Sequence, residues 1–97
     1  MSIAIDKTLT ELIEKAAAAL KAAGVREVYL FGSAAKGAMN EGADVDMAVS
    51  GLPPREFFRA MGEASRILGR SLDLVDLDMV NPFTEHLKRK GRLRRVT

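Results

Sequence analysis

A chain of 97 residues, 47% of them hydrophobic and 29% charged, is expected to fold as one small globular domain spanning residues 1–97. It contains no cysteine, which excludes a disulfide framework, a thiolate metal site and a cysteine nucleophile. No apolar run approaches the length of a membrane span and the N-terminus lacks a signal-peptide pattern, so we expect a cytoplasmic protein without a membrane contact. Such a short chain buries only a small hydrophobic core, so a partner protein or a homo-oligomer that covers one face is plausible.

The net charge of +2 conceals two regions of opposite sign. Residues 88–97 contain six basic residues and no acidic one, whereas the nine other basic residues are outnumbered by the 13 acidic residues of the chain. A basic tail of this kind neutralises phosphates on nucleic acid, binds the acidic face of a partner, or is simply solvated. Because no aromatic residues are interleaved with the basic ones, nucleic-acid binding remains the minor alternative.

The first part of the chain is predicted to form a helix, a strand and a helical turn. Apolar residues recur at helical spacing from Leu9 to Ala23, and Gly24 follows as a C-terminal cap. The apolar run that ends at Phe31 predicts a buried strand over residues 27–31. Residues 34–36 favour a helical turn.

A second strand, a second helix, a third strand and a last helix are expected to follow. Residues 37–42 are predicted to be loop, 43–49 a strand, 54–68 a helix, 71–77 a strand and 82–90 a helix, with 92–97 a short edge strand or a frayed tail. Phe57, Phe58 and Met61 are assigned to the core from their helical spacing. The pattern predicts an α/β (α+β) fold in which helices pack on one small mixed sheet.

Two aspartates mark the second strand. Side chains at positions i and i+2 project from the same face, so Asp44 and Asp46 are predicted to hold their carboxylates side by side. Exposed strand positions often carry acids, but aspartate is disfavoured in strands and like charges on one face repel. A bound cation relieves that repulsion, which favours a Mg²⁺ site.

A third carboxylate helps to hold two Mg²⁺ ions about 4 Å apart and to deprotonate a nucleophile. The third strand offers Asp73 and Asp76, which lie three residues apart and therefore face opposite sides of the sheet. An acid between apolar neighbours, as at Asp73, is costly without a purpose, whereas a solvated or capping role explains Asp76. We therefore assign Asp73 to the site.

A candidate phosphate-binding segment precedes these acids. The small residues Gly32 and Ser33 let backbone amides approach an anion, and a helical turn that starts there directs its amides toward it. The same pair is also ordinary turn chemistry, and a lone loop lysine such as Lys36 is solvated about as often as it binds phosphate. A phosphate cradle beside paired carboxylates is nevertheless suited to a metal–nucleotide complex.

The Gly32-Ser33 pair, ten intervening residues and Asp44-Val45-Asp46 resemble the signature of the DNA polymerase beta-like nucleotidyltransferase superfamily. The short length, the Phe-Gly-Ser sequence and the later Leu-Asp-Leu-Val-Asp-Leu are similar to its minimal nucleotidyltransferases over about residues 9–90. Those are single-domain bacterial and archaeal proteins, often the antitoxin half of a pair with a helical HEPN ribonuclease toxin.

The resemblance implies transfer of AMP from ATP to an acceptor hydroxyl, which in the antitoxin members is a tyrosine of the toxin. It implies that Asp44 and Asp46 ligate two Mg²⁺ ions, that Asp73 completes the metal triad and acts as base, and that Gly32 and Ser33 hold the triphosphate. The expected function is therefore Mg²⁺-dependent nucleotidyl transfer onto a HEPN toxin.

The chain departs from the family pattern at two positions. Ala34 stands where arginine commonly follows Gly-Ser, and Ala43 stands where serine often precedes the first aspartate. Lys36 is the candidate replacement for the missing arginine. The alternative function is a non-catalytic module that binds nucleotide only, or that masks a helical partner sterically.

Overall fold

The computed structural model describes residues 2–4, 7–35, 38–40, 44–90 and 93–97, and of residues 2–4, 7, 33, 34 and 38–40 it describes the backbone alone. The elements in chain order are β1 (Ser2–Ala4), α1 (Lys7–Ala22), β2 (Glu27–Leu30), α2 (Gly32–Ala35), β3 (Ala38–Asn40), β4 (Val45–Ser50), a 3₁₀ turn (Pro54–Glu56), α3 (Phe57–Leu68), β5 (Leu72–Asp76), α4 (Pro82–Lys90) and β6 (Arg94–Arg95).

Four strands form a mixed sheet in the order β5-β4-β2-β6. β4 is antiparallel to β2 and parallel to β5, and β2 is antiparallel to β6. The parallel pair is possible because α3 provides the long crossover that parallel strands require. The architecture confirms the predicted class, a small mixed sheet with packed helices, and residues 94 and 95 form an edge strand.

The sheet is covered on both faces. On one face α1 and α3 pack on Val45, Met47 and Val49, which are completely buried, as their alternation along the strand predicts. On the other face α4 packs on a smaller cluster, whose buried members are Phe31, Ala48, Leu77 and Leu87. Among the helices of the described ranges, none has an apolar stretch long enough to cross a lipid bilayer.

Two of the sequence predictions are wrong. The segment predicted as loop contains β3, which pairs antiparallel with β1 in a separate two-stranded sheet. Both strands are only three residues long, too short to show an apolar alternation in the sequence, so neither strand was predicted. Phe58 is not a core residue, because its side chain is 77% exposed. Of two adjacent helical residues only one faces the sheet, and Phe57 is the one that packs against the core.

The start of α4 is held by a reciprocal cap. The Thr84 N–H donates to Asn81 Oδ1 at 2.9 Å, and the Asn81 N–H donates to Thr84 Oγ1 at 3.2 Å. The Thr84 hydroxyl also donates to the Met79 carbonyl at 2.6 Å, and Thr84 is buried. Asn81 therefore caps α4, and these hydrogen bonds fix the N-terminus of the helix.

Replacing Thr84 with valine is expected to lower the free energy of unfolding by about 1–3 kcal/mol, because valine keeps the volume but leaves the Asn81 N–H and the Met79 carbonyl unpaired. Urea unfolding monitored by circular dichroism measures the change. Thr8→Val, at an exposed threonine in the first turn of α1, is the control. A midpoint for Thr84→Val equal to that of the control would show that the buried hydroxyl contributes nothing.

Candidate active site

The three predicted aspartates lie at one end of the sheet. Asp46 of β4 and Asp73 of β5 occupy paired positions on neighbouring parallel strands. Asp44 precedes β4 by one residue, two positions before Asp46. Since Asp46 alternates with Met47 of the opposite face, its carboxylate projects from the α4 face of the sheet, as does the paired Asp73. Asp44 and Asp73 are exposed, and Asp46 is partly buried.

Partial burial raises the pKa of the Asp46 carboxyl above its ordinary value of 3.8, and the negative charges of Asp73 and Asp44 raise it further. Both neighbours act on the same group, so their charges lie close to Asp46 in space. The site therefore contains excess negative charge that destabilises the ionised form of Asp46. A bound cation would offset this charge.

The raised pKa predicts a pH-dependent effect on stability. A carboxyl whose pKa is raised in the folded state stabilises the fold while it is protonated, and this contribution is lost as the pH rises through the raised pKa. With chelator present at pH 7, Asp46→Asn is therefore expected to melt a few degrees above the wild type. The difference should shrink as the pH is lowered toward the ordinary value of an aspartate.

Thermal unfolding of both proteins across pH measures this effect. Asp76→Asn is the control, because Asp76 lies in the neighbouring strand β5, on the sheet face opposite to Asp73, and its carboxylate accepts a hydrogen bond from the Asp78 N–H at 2.9 Å. Mg²⁺ should raise the melting temperature of the wild type more than that of Asp46→Asn. A loss of stability in Asp46→Asn that is the same at every pH would contradict the assignment of repulsion to this group.

The glycine at the start of α2 lies directly against Asp46. Gly32 has a φ of +65°, and a Cβ at this position would lie 2.5 Å from Asp46 Oδ2. The adjacent Phe31 N–H donates to the Asp46 carbonyl at 3.0 Å, which fixes the two segments relative to each other. Any side chain at position 32 would displace the carboxylate. The absence of a side chain here therefore has a steric reason beyond the backbone angle.

The other predicted phosphate contacts are only partly described. Ser33 follows Gly32 within α2, but its side chain is outside the described atoms. Lys36 and Ala43 lie outside the described residues. The roles assigned to Ser33 and Lys36 stay predictions. His86, the only histidine, is exposed on α4.

The chemistry of the three carboxylates fits Mg²⁺, which prefers oxygen ligands and negative charge. Within the ranges that the structure describes, however, no three acidic or histidine side chains are arranged around one point as metal ligands. The effect of Asp44 and Asp73 on Asp46 nevertheless places each of their charges near the Asp46 carboxylate. The residue types and their proximity therefore fit the ion, while the side chains are not arranged as a coordination shell.

One residue beside the site was missed by sequence reasoning. Phe83, in the first turn of α4, packs edge-on against Phe31 with ring centroids 5.9 Å apart and is 49% exposed. No local motif marks it, because its position depends on how α4 crosses the sheet. The only sequence signal is its place just after the Asn81-Pro82 helix start.

The family model described as polymerase beta, nucleotidyltransferase, matches residues 13–93. The chain belongs to this nucleotidyltransferase family. The match spans β2, β4 and β5, and with them every candidate residue of this nucleotidyltransferase domain. Among curated proteins, no sequence matches the chain.

Solved structures share the fold of this nucleotidyltransferase domain. A protein described as a minimal nucleotidyltransferase is 23% identical, with a TM-score of 0.74 over 94% of this chain and 93% of the other. A toxin–antitoxin complex with AMP-PNP is 21% identical, with a TM-score of 0.71 over 87% of this chain and 72% of the other. A structure of a tri-AMPylated HEPN toxin of Shewanella oneidensis in complex with an MNT antitoxin is 21% identical, with a TM-score of 0.66 over 91% of this chain and 71% of the other. These similarities establish the fold.

Proposed function

We propose that this protein is an Mg²⁺-dependent nucleotidyltransferase that moves AMP from ATP to a hydroxyl of a partner protein, a tyrosine of a HEPN toxin. The observation that carries the proposal is the pairing of Asp46 with Asp73 across two parallel strands, with Asp44 beside them and the backbone of Gly32 against Asp46. The negative charges of these neighbouring carboxylates repel, and a bound cation relieves that repulsion.

Family membership and the structural neighbours support the same chemistry. One neighbour of this fold is a toxin–antitoxin complex with AMP-PNP, and another contains an AMPylated HEPN toxin bound to an MNT antitoxin. The proposed substrate, ATP, and the proposed partner follow from these neighbours by analogy of fold. A cytoplasmic location, where ATP and Mg²⁺ are abundant, fits the proposal.

In the proposed reaction, the acceptor hydroxyl oxygen attacks the α-phosphorus of ATP, a new P–O bond forms, and the bond to pyrophosphate breaks. Asp44 and Asp46, with Asp73, would hold Mg²⁺, which supplies charge neutralisation for the phosphates when bound. The exposed carboxylate of Asp73 accepts the proton of the attacking hydroxyl. The first amides of α2, starting at Gly32, face the triphosphate. Electrostatic stabilisation provides most of the acceleration.

Incubation of this protein with a candidate HEPN toxin, Mg²⁺ and ATP labelled on its α-phosphorus tests the proposal. We expect label on the toxin, and its loss with Asp44→Ala while the variant remains folded. Asp76→Asn, which changes an acid near the end of β5, should keep the activity. Labelling by Asp44→Ala at the wild-type rate would remove the assigned role of this residue.

One observation favours a second function. Ala34 stands where relatives commonly have arginine, and without that cation the site binds a triphosphate less well. A non-catalytic module would bind the toxin tightly, consume no ATP and neutralise it by covering its surface. Toxin neutralisation in cells that is unaffected by Asp44→Ala combined with Asp46→Ala would select this alternative, whereas loss of neutralisation supports the enzyme.

A further inference from the structure

Exposed apolar side chains are concentrated at one place on the surface. Four large hydrophobic residues of the described part are exposed, and three of them, Met79, Val80 and Phe83, lie in the connection from β5 to α4 and the first turn of that helix. The fourth, Phe58, lies on α3, which packs on the opposite face of the sheet. Of these three residues, Phe83 lies on the α4 face of the sheet, where its ring contacts Phe31, and Asp46 and Asp73 project from the same face.

Phe83 is connected to the carboxylates through one buried ring. Its ring packs edge-on against Phe31 with centroids 5.9 Å apart and an interplanar angle of 67°. Phe31 is buried, and its N–H donates to the Asp46 carbonyl at 3.0 Å, so Phe31 and Asp46 are neighbours across β2 and β4. Both side chains point to the α4 face. The Asp46 carboxylate, the buried Phe31 ring and the half-exposed Phe83 ring therefore lie next to one another in this order.

We propose that Phe83 is the stacking surface for the nucleobase of the bound nucleotide, an inference that rests on the proposed function. A nucleotide whose phosphates lie at Asp44, Asp46 and Asp73 places its base one ribose away. Phe83 offers an aromatic surface next to the site, with one part held against Phe31 and about half of it open.

This arrangement also limits what Phe83 contributes to specificity. Every nucleobase has a π face, so stacking on phenylalanine adds affinity without distinguishing one base from another. Loss of the ring should therefore weaken the binding of ATP and GTP by similar factors. Mg²⁺-tripolyphosphate, which has the phosphates and no base, should be unaffected.

Calorimetric titration of the full chain with MgATP, MgGTP and Mg²⁺-tripolyphosphate tests the proposal. Phe83→Ala is expected to raise the Kd for both nucleotides about tenfold and to leave that for tripolyphosphate unchanged. Phe58→Ala, the same substitution at a more exposed phenylalanine on the opposite side of the sheet, is the matched control and should change neither. Phe83→Tyr should retain nucleotide affinity.

A fluorescent variant gives an independent measurement. The chain contains no tryptophan, so Phe83→Trp introduces a single reporter. Its emission should be quenched by MgATP and not by Mg²⁺-tripolyphosphate. Unchanged nucleotide affinity in Phe83→Ala, or an equal loss for tripolyphosphate, would overturn the stacking role.

The failures of the two proposals are distinguishable. If the wild type transfers AMP and Phe83→Ala does so with the same KM for ATP, the stacking role alone is wrong. A Phe83→Ala variant that binds the toxin more weakly but MgATP normally also refutes it, because Phe83 would then contact protein. If the wild type binds no MgATP, both the proposed function and this inference fail.

Discussion

Replacing Asp46 with asparagine is expected to lower the rate of AMP transfer at least about a hundredfold in a protein that remains folded. Asparagine keeps the shape of the side chain but removes the negative charge at the centre of the three acids, where Asp44 and Asp73 both act on it. The rate of label incorporation into the toxin from α-labelled ATP measures the effect. Because the same substitution relieves repulsion, activity and thermal stability should change in opposite directions.

Asp73 and Asp76 provide a matched comparison for this result. They belong to one strand, three residues apart, and so face opposite sides of the sheet. Asp73→Asn is expected to reduce transfer severely, because Asp73 is paired with Asp46 across the sheet, whereas Asp76→Asn should not. Equal activity of the two variants would show that position on the sheet does not determine which acid participates.

Gly32→Ala is expected to remove activity almost completely. The added methyl group would lie 2.5 Å from Asp46 Oδ2, a distance that real Cβ atoms do not tolerate, so the carboxylate must move. Alanine at a φ of +65° also costs about 1–2 kcal/mol of stability. We expect a loss of transfer of at least about a hundredfold, together with a lower melting temperature, measured by label incorporation and thermal unfolding.

Gly69→Ala separates these two causes. Gly69 ends α3 with a φ of +68°, nearly the angle of Gly32, but a Cβ there meets no atom within 4 Å. Its alanine variant should lose a similar amount of stability from the backbone angle and retain full activity. If Gly69→Ala is as inactive as Gly32→Ala, instability explains both results. If Gly32→Ala is active, contact with the Asp46 carboxylate is not required.

Local sequence patterns predicted the parts of the fold that depend on local geometry. The helical spacing of apolar residues gave α1, which begins at Lys7 and ends at Ala22, close to the predicted bounds. Strand alternation placed Met47 in the core and, by the same rule, Asp46 on the opposite face. The choice of Asp73 over Asp76 also followed from strand geometry, and the register of β4 and β5 places Asp73 beside Asp46.

Features that depend on contacts between distant segments could not be predicted. The pairing of β1 with β3 joins the backbones of residues more than thirty positions apart, and no local sequence pattern marks either strand. Phe58 and Phe83 are both phenylalanines in helices, yet Phe58 packs edge-on against its neighbour Phe57 on α3, whereas Phe83 contacts Phe31 beside the site. Only the packing of the helices on the sheet distinguishes them.

We propose that Asp44, Asp46 and Asp73 bind a Mg²⁺–ATP complex and that its AMP is transferred to protein. The decisive measurement is the intact mass of the toxin after incubation with this protein, ATP and Mg²⁺. We expect a mass gain of one or more AMP units that requires Mg²⁺ and is absent with Asp46→Asn. An unchanged toxin mass, with the toxin still neutralised, would contradict it.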